Sequence, residues 1–178
     1  MKRTGVRMAG ACLLMGALVG AGVLATASAQ EKKAEGVKAA EAVAYPAGYR
    51  NWTHVKSMVI HDKSHPLFGA FGGIHHVYVN AKGAAAVKKG GVYPDGSVFV
   101  FDLLEANLQG GAYVEGNRKV LATMVKDAKR FAATGGWGFE AFGAGEATQR
   151  RVKDAAKECF PCHASQKKSD HVYSSWRP

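Results

Sequence analysis

Cysteine is scarce in this chain, with three residues among 178. Cys12 lies in the first apolar stretch, and Cys159 and Cys162 stand three positions apart near the C-terminal end. Two such close thiols provide no disulfide framework, because the loop that they would close is too small to stabilise a domain of this length. They are also too few for a structural zinc site, which uses about four thiolate or imidazole ligands. The fold is therefore expected to depend on an ordinary apolar core.

Acidic residues are in the minority as well, since 14 Asp and Glu oppose 24 Lys and Arg, which gives a net charge of +10. The lysines are spread along the chain and do not form clusters, so this balance does not by itself indicate nucleic acid. A basic surface of this kind is typically solvated, or it attracts acidic partner proteins over long range.

The first residues indicate export. Lys2, Arg3 and Arg7 precede an apolar stretch that ends in Ala-Ser-Ala, which is the layout of a secretory signal peptide cleaved after Ala29. A transmembrane anchor is disfavoured because the stretch is rich in Gly and Ala and closes on small residues. We therefore expect a periplasmic protein with no stable membrane insertion and no nucleic-acid partner. The predicted organisation is a signal peptide at 1–29, a charged and Ala-rich leader at 30–44 and a single domain at 45–178.

The middle of the chain is dominated by strand patterns. The predicted elements are strands at 74–80, 97–106 and 135–143, a helix at 81–89, a turn at 93–96 and a C-terminal helix at 147–160 with Thr148 as its N-cap. Alternation in the second strand places Phe99, Phe101 and Leu103 on one face. Segments 51–62 and 119–131 fit either strand or helix, with strand favoured for the start of the latter, and 107–118 is predicted as a Gly-punctuated connection.

The cysteine pair belongs to Cys-Phe-Pro-Cys-His at 159–163, which matches the Cys-x-x-Cys-His pattern of c-type haem attachment. Two thiols at this spacing reach the two vinyl groups of one porphyrin edge, and the following imidazole then lies over the iron. A thioredoxin-like site is disfavoured because the pair closes the predicted helix, whereas a helix N-terminus is what lowers a reactive thiol's pKa. We predict one covalent haem c, with thioether links at Cys159 and Cys162 and the iron held by His163.

The group on the other face of the iron decides the function. Electron-transfer cytochromes place Met or His there. The candidates by residue type are Met58, Met124, His54, His61, His65, His75, His76 and His171. None has a spacing that marks it as a ligand, and His75 and His76 point to opposite faces if 74–80 is a strand.

Several features together resemble the cytochrome P-460 family, and more closely its cytochrome c′-beta branch. They are the signal peptide, YPAGYRNW at 45–52, YPDGSVFVFDLL at 93–104, GGWGFEAFG at 135–143 and the late CFPCH. The resemblance spans about 45–178 and implies an α+β fold, mainly antiparallel β-sheet with flanking helices, in which the C-terminal helix carries the haem motif. It also implies a homodimer. The strand-rich middle argues against the four-helix cytochromes c′.

Two functions occur in the family. Its P-460 enzymes oxidise hydroxylamine with a lysine cross-linked to the haem and a carboxylate over the iron. That lysine aligns with Phe101 here, and no lysine occurs from 90 to 118. The nearest lysines before this segment are Lys82, Lys88 and Lys89, and the candidate carboxylates are Asp102, Glu115 and Glu140.

The c′-beta proteins lack the cross-link and cap the iron with phenylalanines, which the resemblance assigns to Phe101, Phe71 and Phe99. A pocket without a hydrogen-bond donor gives bound O₂ little help, whereas NO and CO depend much less on a donor. Without a distal acid or base, the proton transfer of hydroxylamine oxidation is also lost. We therefore expect a protein that binds NO and CO, for NO scavenging, carriage or sensing, rather than a hydroxylamine-oxidising enzyme. Plain electron transfer to an acidic redox partner is the third hypothesis.

Overall fold

The computed structural model describes residues 42–177. The predicted signal peptide at 1–29 and nearly all of the leader at 30–44 lie outside the described residues, so both stay predictions. Within 42–177, no helix is long and apolar enough to cross a membrane.

The domain is built on a five-stranded antiparallel sheet in which each strand pairs with its neighbour along the chain. The strands are β1 Thr53–Ile60, β2 Gly73–Val79, β3 Val98–Gln109, β4 Ala112–Lys126 and β5 Trp137–Gly143. The helices are short: α1 Phe68–Phe71, α2 Ala81–Lys89, α3 Ala155–Glu158 and α4 Phe160–Ala164, with 3-10 turns at Tyr49–Asn51, Ala132–Thr134 and Lys167–Ser169. The predicted α+β class, a mainly antiparallel sheet with flanking helices, is confirmed.

Most of the local predictions are confirmed. Strands occur at the three predicted positions, and segment 51–62 contains the edge strand β1. Helix α2 is the helix predicted at 81–89, and Asn80 caps it by accepting a hydrogen bond from the backbone N–H of Gly83 at 3.0 Å. The helix ends at Gly90, whose φ is 69°.

The predicted connection at 107–118 is wrong. Strands β3 and β4 run through this segment as one long hairpin, closed by Gly110 and Gly111 with φ of 56° and 83°. Two consecutive residues with positive φ suit a tight hairpin, because their twist matches that of the flanking strands. The polar composition that suggested a loop instead reflects a hairpin end whose side chains are largely exposed.

The predicted helix at 147–160 is wrong in its first half. Helix α3 begins only at Ala155, and its N-cap is Asp154 rather than Thr148. The segment before it lies along the edge of the sheet. There the backbone N–H of Arg151 donates to the carbonyl of Ala141, and Arg150 forms an isolated antiparallel β-bridge with Phe142. An open strand edge offers these backbone groups partners that compete with helix formation.

Alternation along the strands gives the sheet two faces. We call the face with Val79, Phe99, Met124 and Phe139 the motif face, because Cys159 and the residues around it pack against this cluster. The opposite face carries Val100, Leu121 and Phe142 and is covered by Tyr49 and neighbouring residues of the N-terminal segment. The core therefore lies on both sides of the sheet.

Candidate haem site

The cysteine pair lies where two short helices meet on the motif face. Helix α3 starts at its Asp154 cap, and Cys159 separates it from α4, which contains Pro161 in its first turn. Cys159 is half-buried against the core and Cys162 is exposed, and neither forms a disulfide. Burial, with a smaller effect of Glu158, raises the pKa of the Cys159 thiol to about 11. This is opposite to the lowered pKa of redox-active Cys-x-x-Cys thiols.

His163, the histidine of the motif, has a defined orientation on the motif face. Its ring contacts Phe139 with centroids 4.7 Å apart, and its Nδ1 lies 2.8 Å from the backbone carbonyl oxygen of His171. A carbonyl only accepts, so Nδ1 carries the proton and Nε2 keeps a free lone pair, which is the tautomer that an iron ligand needs. Burial lowers the pKa of His163, which favours the same neutral form. These features fit a haem held by the motif.

The carbonyl that orients His163 belongs to a strained turn. Asp170 and His171 both have left-handed backbone, with φ of 50° and 67°. The Asp170 carboxylate accepts from Lys126 Nζ at 2.6 Å and from the backbone N–H of Tyr93 at 2.9 Å. The backbone carbonyl of Asp170 accepts from the indole N–H of Trp137 at 2.7 Å. Sequence reasoning missed this turn, because nothing in the local sequence places residue 170 beside residue 126.

A second cluster of rings lies further along the motif face. Phe101 contacts Phe71 edge-on, with ring centroids 5.6 Å apart, and it contacts His75 at 4.5 Å. Phe71 is exposed and Phe101 is half-buried, so both border open space. Phe99 is instead buried against Tyr93 and Trp137. The structure thus brings two of the three predicted cap phenylalanines together and leaves the third in the core.

Small side chains lie between the two clusters. Across β3, β4 and β5, Phe101 pairs with Ala122, which pairs with Ala141. This row runs beside the row of Phe99, Met124 and Phe139, whose last ring contacts His163. Because the alanine side chains are small, they leave space above the sheet beside the motif, where the edge of a flat, bulky group could lie.

The three candidate carboxylates all lie on the opposite face. Asp102 is buried and accepts from Tyr49 and Arg118, and Glu140 pairs with Arg150 at 2.6 Å. Glu115 lies 2.6 Å from His76 Nε2. Since each is bound to partners across the sheet from the motif, none is placed to act above a haem that His163 holds.

The candidate sixth ligands also differ in which face of the sheet they occupy and in what they contact. His76 and His54 lie on the opposite face, where His76 Nδ1 and His54 Nε2 contact Ser57 Oγ at 2.6 and 2.9 Å. His61 contacts Tyr113, His65 accepts from the backbone N–H of Leu67, and His171 contacts the His163 carbonyl. The candidates that the strand register places on the motif face are His75, Met58 and Met124.

Two of the lysines named from the sequence have contacts elsewhere in the structure. Lys88 Nζ lies over the Trp176 ring, 5.0 Å from its centroid, and Lys82 lies against Gly96. Two lysines that sequence reasoning did not consider are on the motif face. Lys56 Nζ donates to Ser175 Oγ at 3.2 Å, and Lys126 is held by Asp170.

An antiparallel sheet that supports a Cys-x-x-Cys-His segment, with Nε2 of the motif histidine left without a proton, is the arrangement expected of a β-sheet haem protein. The family model for cytochrome P460 matches residues 46–174, and the chain belongs to the cytochrome P460 family. It is accordingly a haem-binding cytochrome, as the resemblance predicted. The match names the family and no branch of it. No curated protein matches the chain.

Proposed function

We propose that this chain is a periplasmic mono-haem cytochrome of the cytochrome c′-beta kind, whose five-coordinate haem binds NO, and also CO, on the face away from His163. The observation that carries the proposal is which side chains the motif face has and which it lacks. Phenylalanine stands at position 101, and the candidate carboxylates Asp102, Glu115 and Glu140 all have partners on the opposite face. Hydroxylamine oxidation requires proton transfer at the reacting centre, for which this face offers no carboxylate among these candidates.

The chain's own residues would divide the work as follows. Cys159 and Cys162 would form the two thioether links, and His163 would bind the iron through Nε2 while its Nδ1–H donates to the His171 carbonyl. Phe71 and Phe101 would limit the space on the distal side and keep water away from it. A bound haem would supply an iron that can bind a diatomic ligand.

Two other functions compete with this one. Hydroxylamine oxidation would need a lysine cross-link, and Lys82 and Lys88 have other contacts in this structure. Electron transfer would need a sixth ligand, and His75, Met58 and Met124 share the motif face with His163. The spectrum of the holoprotein distinguishes all three functions.

The biological setting that we propose follows from composition. The signal sequence would deliver the chain to the periplasm, where c-type haem attachment takes place, and the chain would form a homodimer like its family. The excess of basic residues would favour an acidic redox partner. NO scavenging, carriage and sensing all fit this arrangement.

The test is an absorption spectrum of the purified holoprotein with its intact mass. A five-coordinate high-spin ferrous band that shifts with NO and CO, together with the mass of the polypeptide plus one haem, is the expected result. A far-red-shifted ferrous Soret band with one further haem–protein bond would replace this function by hydroxylamine oxidation. A six-coordinate low-spin spectrum that does not change when NO or CO is added would indicate electron transfer.

A further inference from the structure

His75 has an unusual environment for a polar side chain. It is 5% exposed, and its Nδ1 is, among residues 42–177, the one buried side-chain nitrogen or oxygen without a hydrogen-bond partner. Buried polar atoms are nearly always paired, so an exception requires an explanation. The next residue shows the contrast, because His76 is bonded through both ring nitrogens on the opposite face.

The residues directly opposite His75 on the neighbouring strands offer Nδ1 no hydrogen bond. Its cross-strand neighbours on the motif face are Met58 on β1 and Leu103 on β3. The nearest ring is Phe101, whose centroid lies 4.5 Å from that of the imidazole, with the two planes tilted by 33°. Nδ1 is itself enclosed, so the ring nitrogen left for a partner in the open space beside Phe71 and Phe101 is Nε2.

The imidazole is uncharged under ordinary conditions. Burial, with a smaller contribution from the neighbouring His76, lowers the pKa of His75 to about 4. A neutral imidazole has one N–H donor and one acceptor nitrogen. It can donate a hydrogen bond without placing a positive charge in an apolar pocket.

We propose that His75 is the polar residue of the distal pocket, and that its Nε2–H donates a hydrogen bond to a diatomic ligand bound at the iron. This rests on the proposed function, since it assigns a role beside the same haem, and it replaces the donor-free pocket expected from the phenylalanines alone. The distal wall then consists of three rings, two apolar and one polar. A donor there favours ligands whose outer atom carries negative charge, so the pocket holds O₂ and NO more firmly than a phenylalanine cap would.

The test is the C–O stretching frequency of the ferrous CO complex, measured by infrared spectroscopy on the wild-type holoprotein and His75→Phe. A donor near the ligand oxygen draws electron density into the C–O antibonding orbital, so the wild type should show the lower frequency and His75→Phe the higher one. His54→Phe is the matched control, because His54 is an exposed histidine on the opposite face and its replacement should leave the frequency unchanged. His75→Leu serves as the second variant if His75→Phe yields no folded holoprotein.

Equal frequencies in the wild type and the His75 variants overturn this role and leave the proposed function intact. A wild type that binds CO only after His75 is replaced shows that His75 is an iron ligand, which also overturns the hydrogen-bond role. A wild type and variants that all fail to bind CO refute the proposed function itself, and the role of His75 with it. A lower frequency in the wild type that only the His75 variants raise supports the proposal.

Discussion

Phe101 and Phe99 are two residues apart on one strand face, but their surroundings differ. Phe101 borders open space with Phe71, whereas Phe99 is 4% exposed between Tyr93 and Trp137. We predict that Phe101→Ala speeds CO association with the holoprotein several-fold and has a small effect on stability. Phe99→Ala should instead destabilise the fold by about 3–5 kcal/mol, because a buried aromatic side chain leaves a cavity.

The measurements are flash photolysis for CO and urea unfolding for stability. Each variant is the control for the other, since both remove the same ring from the same strand. Unchanged CO kinetics in Phe101→Ala would remove this residue from the distal cap.

His75 also predicts a dependence of stability on pH. Its pKa is about 4 in the fold and about 6.5 when unfolded, so the unfolded chain takes up the proton first as the pH falls. The contribution of the neutral His75 imidazole to the free energy of unfolding is fully present above pH 6.5 and is lost as the pH falls to about 4. The shift corresponds to roughly 3 kcal/mol.

Urea midpoints for the wild type and His75→Phe between pH 7 and pH 4 measure this difference. The wild type should lose stability relative to the variant across that window and no further below it. Parallel curves for the two proteins would mean that His75 titrates in the same way folded and unfolded.

Asp102 illustrates a buried charge with a structural role. Its side chain is 1% exposed and pairs with Arg118, which is 22% exposed, and with Arg50, which is 57% exposed. Asp102→Asn should destabilise the protein by about 3 kcal/mol, because it leaves the Arg118 guanidinium partly buried without its carboxylate. Arg50→Gln, which removes the exposed partner, should cost at most about 1 kcal/mol.

Thermal or urea unfolding compares the two variants. The network lies across the sheet from the motif, so the haem spectrum should be the same in both. A spectral change in Asp102→Asn would show that the two faces are coupled.

At the scale of elements, the turn at 170–171 connects a buried ion pair to the orientation of His163. Lys126 and Asp170 are 8% and 11% exposed. We predict that Asp170→Asn costs about 3 kcal/mol, since the Lys126 ammonium loses its partner. It should also change the iron–histidine stretching frequency of the ferrous holoprotein, because the His171 carbonyl is no longer held in place.

Resonance Raman spectroscopy measures that frequency. The double variant Lys126→Met with Asp170→Asn separates the two effects, because it removes both charges. It should regain part of the stability while the altered frequency remains. An unaltered frequency in Asp170→Asn would show that the turn holds His163 without the ion pair.

The elements also show which parts of the structure the sequence could predict. Strands β2 and β5 are rich in β-branched or aromatic residues and β3 alternates along its faces, and the prediction found them for those reasons. The outer part of the β3–β4 hairpin is largely solvent-exposed, so its residues carry no such alternation. Residues 149–151 have a helical pattern, but the free edge of β5 takes their backbone hydrogen bonds.

The site was predictable only in part. The haem motif has a fixed spacing, which the sequence displays directly, and the alternation at 74–80 correctly separated His75 from His76. The missing partner of His75 depends on what surrounds it on three strands. The contact between residues 126 and 170 depends on how the end of the chain returns to the sheet, for which no local pattern exists.

At the scale of the whole molecule, the sheet separates two kinds of chemistry. The opposite face holds the buried Asp102 and Glu140, each neutralised by arginine. The motif face presents phenylalanines, alanines and one unpaired imidazole beside the haem motif. The buried ion pairs of Asp102 and Glu140 thus lie one sheet thickness away from the position of the proposed iron chemistry, whereas the buried pair of Lys126 and Asp170 lies on the motif face and supports the turn that contacts His163.

The meander of the sheet has a consequence for assembly. Because each strand pairs with the next one along the chain, the contacts that define the sheet are local in sequence and form quickly. The haem motif comes after the last strand, in two short helices with Cys162 exposed. The order of the chain therefore lets a folded platform form first and leaves the Cys162 thiol accessible at the surface for the haem attachment that we propose.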